Sequence, residues 1–141
     1  MPRKFIRQLW GRLGRRGYAL LFFSMLDWVY GFSLLHPPAD AARMSSLRFA
    51  AYVAPLWLWA SLWLITAALC LWQAWTVSDQ LAFTAAIAIK VLWGTLFLVG
   101  WITVGLDRAY VSVAVWWALA GFVGIIASWP EPPARTPGRH Q

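Results

Sequence analysis

The stretch Gly17–Leu35, GYALLFFSMLDWVYGFSLL, carries one charge, Asp27, near its middle. A second stretch, Leu81–Gly105, LAFTAAIAIKVLWGTLFLVGWITVG, also carries one, Lys90. Each run is close to the roughly 20 apolar residues that a helix needs to cross about 30 Å of hydrocarbon. A lone charge at the centre of such a helix costs about 2.5–3.5 kcal/mol on insertion scales and more on others. At about 1.5 Å per residue, Asp27 lies about 15 Å past Gly17, and Lys90 about 13–14 Å past Leu81. An acid and a base at one depth offset each other, so these two residues are read as an intramembrane polar pair.

Two further apolar segments, about Ala54–Trp75 and Ala109–Trp129, complete four candidate spans. With four crossings the first and third run in the same direction, which puts Asp27 and Lys90 at matched depth from the same side. The connections are short. Pro37 and Pro38 stop a helix, and Ser78 or Asp79 is available to cap the third span. Gly105-Leu106-Asp107-Arg108 reads as a tight turn with Asp107 as the next cap. Pro55 is read as a bend in a second helix that begins near Ser45 or Ser46, because Phe49–Val53 is already apolar.

Composition agrees. Hydrophobic residues make up 61% of the 141 and charged residues 12%, against about 45–50% and about 25% in a soluble domain. The twelve Trp suit membrane–water interfaces; Trp57, Trp63, Trp93, Trp101, Trp116 and Trp117 are expected to fill space or sit at those boundaries. A net charge of +7 would suit nucleic acid, but Arg3, Lys4, Arg7, Arg12, Arg15 and Arg16 all precede the first run. That placement marks a cytoplasmic flank, so no nucleic-acid partner is expected. Both termini are assigned to the inner side of a bacterial cytoplasmic membrane. The first run exceeds the 7–15 residues of a signal-peptide core and contains Asp27, so cleavage is not expected.

Residues 1–16 read as a basic amphipathic arm. Phe5, Ile6, Leu9, Trp10 and Leu13 share one helical face, with Arg3, Lys4, Arg7, Arg12, Arg15 and Arg16 mainly opposite. Such a helix lies in the interface and meets anionic headgroups, although Gly11, Gly14 and Gly17 weaken it. Residues 17–129 form the expected all-α, four-helix transmembrane domain, and 130–141 a Pro-rich polar tail. Within the spans, Gly17, Ser24 and Gly31 share the face of Asp27. Ala82, Ala86 and Gly94 share that of Lys90, and Ala120, Gly124 and Ser128 make a third stripe. Small residues let membrane helices approach closely, so these faces are expected to point at protein.

Catalytic and metal sites are not expected. No Ser–His–Asp set, carboxylate pair, Gly-rich phosphate loop or ligand cluster is laid out along the chain, and no cofactor is implied. Cys70, the only cysteine, reads as a buried thiol.

The segments Arg15-Arg16-Gly17 leading into Leu26-Asp27-Trp28-Val29-Tyr30-Gly31, Pro55-Leu56-Trp57-Leu58-Trp59-Ala60 and Lys90-Val91-Leu92-Trp93-Gly94 resemble small four-span membrane proteins of actinobacterial phages and prophages. The resemblance implies a membrane bundle, and a holin-like role where such a protein accompanies lysis functions. The chain is also similar to the small multidrug-resistance transporters in having four short spans and an acid in the first. It departs from them in Lys90, which neutralises that acid, and in a charge bias that fixes one orientation. Three functions follow as expectations. The first is a membrane protein acting through helix association with itself or a membrane partner. The alternatives are a holin-like pore former and a small transporter or channel using Asp27 and Lys90.

Overall fold

The structure is a computed structural model that describes residues 14–37, 45–76 and 78–130. Among these residues the regular elements are all helical: α1 (Arg15–Leu35), α2 (Ser45–Val53), α3 (Leu56–Gln73), α4 (Gln80–Val104) and α5 (Ala109–Ala127). Four of them, α1, α3, α4 and α5, are long and apolar enough to cross a membrane. The arm residues Arg3, Lys4, Arg7, Trp10 and Arg12 and the tail beyond Pro130 lie outside the described residues.

Pro55 does more than bend a helix. Its ψ of 141° is extended, which separates α2 from α3 instead of kinking one continuous rod. Proline removes a donor and favours an extended residue before it, so the break falls at Ala54–Pro55. Trp59 then ties the two pieces together, its indole Nε1 donating to the Ala50 carbonyl at 3.0 Å.

The helices pack as two antiparallel pairs, α1 with α3 and α4 with α5, joined mainly through α3 and α4. On α1, Ser24 Oγ donates to the Ala67 carbonyl of α3 at 2.8 Å. At Gly31 an added Cβ would stand 2.9 Å from Leu64 Cγ and 3.2 Å from Trp63 Cβ. Trp63 Cβ is tied to the α3 backbone, so any side chain at Gly31 pushes the helices apart. Gly31→Ala is therefore expected to destabilise the fold by about 1–3 kcal/mol. Gly121→Ala meets nothing within 4 Å and is expected to stabilise by about 0.5–1 kcal/mol through helix propensity. Thermal unfolding in detergent ranks the two variants.

The helix ends differ from the expected caps. Asp79 occupies the N-cap position of α4 but makes no side-chain cap bond. The Ala82 N–H instead donates to Gln73 Oε1 of α3 at 2.8 Å. Asp107 does not cap α5 either. Arg108 holds that position with φ 57°, after Gly105 closes α4 with φ 64°. There the Gly105 N–H reaches back to the Gly100 carbonyl, which also accepts from the Leu106 N–H at 3.4 Å.

Two apolar clusters fill the bundle. One, toward the α1 N-terminus, contains Leu20, Phe23, Cys70, Ala82, Phe83, Ala86 and Val123. The other contains Leu34, Trp59, Trp63, Ile89, Trp93 and Phe97. The polar site lies between them.

Candidate functional site

Asp27 on α1 and Lys90 on α4 are both fully enclosed, at 0% exposure. Lys90 Nζ donates to Asp27 Oδ1 at 2.7 Å. The ammonium also faces two rings, with Trp63 centred 5.4 Å away and Phe23 5.6 Å away. Those contacts add electrostatic attraction to a cation enclosed by protein. An ion pair removed from solvent must recover a large desolvation cost, and the carboxylate and the two rings supply what recovery these residues can.

Two more contacts join α1 to α4 or to the residue just before it. Trp93 Nε1 donates to Tyr30 Oη at 2.7 Å. Arg16 Nη2 donates to Asp79 Oδ1, also at 2.7 Å. All three pairs are 63 residues apart in sequence. A constant offset is the signature of two parallel helices in fixed register. The rungs sit at Arg16, Asp27 and Tyr30, spacings of about three turns and then about one at 3.6 residues per turn, so they lie on one face of α1.

The structure places the other singled-out residues as follows. Gly17, Ser24, Gly31, Ala82, Ala86, Gly94 and Ala120 are buried. Gly31 faces α3, and an added Cβ at Gly94 would meet the Trp117 indole at 2.5 Å, so Gly94 faces α5. Gly124 is half-buried, with Ile87 of α4 within 3.9 Å of an added Cβ. Ser128 is exposed at the end of α5, and its hydroxyl donates back to the Ile125 carbonyl at 2.6 Å, so it does not extend the packed stripe.

Arg15 is exposed on α1. Arg16, grouped with the lipid-contacting arm from sequence, instead turns inward to Asp79, over the Phe83 ring at 5.1 Å and toward the Trp129 carbonyl at 3.5 Å. A carboxylate and a ring hold this partly buried guanidinium, whose planar fork suits both. One residue therefore links the start of α1, the approach to α4 and the end of α5.

Tyr30 was not singled out from sequence. It touches Trp63, Trp93 and Trp116, with ring centroids at 4.7, 5.8 and 4.9 Å. The signal was present: Tyr30 follows Asp27 by the same interval as Trp93 follows Lys90. Trp63 and Trp93 are fully buried, whereas Trp57, Trp101 and Trp117 are exposed.

Chemically, this site is an internally neutralised ion pair in an aromatic box, built to hold charge and not to present it. Comparison with protein-family models, with curated proteins and with solved structures gives no match.

Proposed function

We propose that this chain is a multi-pass protein of the bacterial cytoplasmic membrane that acts through helix association with a second copy of itself or a membrane partner. In this reading Asp27 and Lys90 fix the register of the bundle. The observation that carries it is a groove of about 550 Å³ on the outer side of α4, lined by Thr84, Ala88, Val91 and Thr95 among others. Those four recur at alternating intervals of four and three, the heptad seam of a left-handed helix pair. They are small or β-branched, as close helix contacts in lipid favour, and Thr84, Ala88 and Val91 are exposed. Many other exposed side chains around the bundle are large and apolar, among them Phe22, Met25, Val29, Ile65, Trp72 and Ile102, which suits contact with lipid.

Copies bearing donor and acceptor fluorophores, reconstituted together, should transfer energy above the random-proximity level as lipid is added. Ala88→Ile, which fills the groove, should weaken that association by about tenfold or more. Transfer that falls to the random level on dilution in the parent chain would remove self-association and leave only a different membrane partner.

Orientation follows from the basic residues ahead of α1. A reporter active only outside the cytoplasm should work at Asp40 and be silent at the C-terminus. The opposite pattern contradicts this topology. A holin-like protein would instead release a co-expressed muralytic enzyme. Growth without leakage is expected here, because the charged pair is enclosed and the exposed span surface is apolar.

A further inference from the structure

The polar atoms around the ion pair do not balance. Asp27 Oδ2 is buried and accepts no hydrogen bond from any described residue, and Trp63 Nε1 is buried and donates none. Lys90 Nζ has three donors and gives one to Asp27 Oδ1. These groups belong to one neighbourhood, since the same ammonium lies 2.7 Å from Oδ1 and 5.4 Å from the Trp63 ring centre. An orphaned buried polar atom is destabilising, and more so when it is charged. Their chemistry restricts what relieves them. An anion is repelled by the carboxylate and a metal cation by the ammonium. An apolar guest leaves all three groups unpaired. The guest must be small and neutral, and must both donate and accept.

A cavity of about 290 Å³ lies at the far end of α1, lined by Tyr30, Ser46, Phe97, Ser112 and Trp116 among others. Its walls carry hydroxyls. The rings of Tyr30 and Trp116, 4.9 Å apart, line it and pack on Trp63, which touches both. Toward the Arg16 end an ion pair lies over the packed side chains. Leu20, Phe23, Ala82, Ala86 and Val123 are all at 0% exposure, and the Arg16–Asp79 pair closes that end.

We propose that Asp27 Oδ2, Trp63 Nε1 and Lys90 Nζ form a binding site for a water molecule, which exchanges through the hydroxyl-lined cavity beyond Tyr30 and not through the Arg16 end. The water donates to Oδ2 and accepts from the indole or the ammonium. It completes the hydrogen bonding that the helices leave unfinished. The ion pair is thereby in one-sided contact with solvent while remaining enclosed in protein.

The test uses the full chain with 15N-labelled tryptophan in lipid nanodiscs. The Trp63 indole resonance is assigned by its loss in Trp63→Phe, and its exchange in D2O is followed. The Trp63 proton should exchange well before the core amides of α4. Ser112→Leu, which narrows the cavity, should slow it by about tenfold, and Asp79→Asn should leave it unchanged. The remaining indole resonances report whether each variant is folded, and Ser46→Leu replaces Ser112→Leu if that chain does not fold. An indole that keeps its proton as long as the α4 core amides would overturn the site. Exchange indifferent to both cavity variants, or accelerated by Asp79→Asn, would overturn the route.

Discussion

Asp27→Asn alone is expected to destabilise the folded chain by about 3–5 kcal/mol, because it leaves an enclosed ammonium without its counter-charge. The Phe23 and Trp63 faces that flank Lys90 Nζ offset only part of that loss. Lys90→Met alone should act similarly, since both Asp27 oxygens then lack a described donor. The double variant should recover much of the loss. Replacing both members of a buried pair by neutral groups of similar shape is often close to neutral. Folded fraction in a detergent denaturation series gives the cycle; with single losses of about 3–5 kcal/mol each and a double variant closer to neutral, the expected coupling is about 3 kcal/mol or more. Strictly additive losses would mean that the two side chains do not interact.

Trp63→Ala is the second large effect. Trp63 is fully buried and touches Tyr30, Trp93 and Trp116 at ring-centroid distances of 4.7, 6.1 and 5.1 Å. It also covers Lys90. Removing it takes the centre out of the aromatic cluster and one face from the ammonium, and should cost about 3–5 kcal/mol. Lost packing dominates that figure, since lipid tails are as apolar as the ring they would replace. Trp57→Ala is the matched comparison: Trp57 is 62% exposed, and its loss should stay within about 0.5 kcal/mol. Equal losses at the two positions, measured in the same denaturation series, would contradict this packing.

Much of the architecture is legible in the sequence because lipid-length apolar runs leave helices as the only way to satisfy the backbone. The depth of Asp27 and Lys90 follows by counting, since the rise per residue is fixed. Three features resist that reading. The Pro55 break depends on whether the chain resumes at once or leaves the helix, and neighbouring residues do not decide between a kink and a separate α2. Arg16 and Asp79 each have a plausible local role, one as a topology charge and the other as a cap. Their pairing appears only when α1 and α4 are set side by side. Tyr30 and Trp93 look like two among many aromatic residues. The three hydrogen-bonded pairs share the offset of 63, so once Asp27 is matched to Lys90, the same shift identifies the other two rungs. The outward position of Ser128 has a simpler cause: it lies just past the end of α5, after Ile126 has made the last buried contact of that helix.

The most direct measurement is the dipolar coupling between 15Nζ of Lys90 and 13Cγ of Asp27 in the chain reconstituted in lipid bilayers. A strong coupling, as required by the 2.7 Å contact between Nζ and Oδ1, is the expected result. It should vanish in Asp27→Asn chains that lose the carboxylate contact. A coupling too weak to detect in the folded parent chain would contradict the parallel register of α1 and α4 and the enclosed pair at its centre.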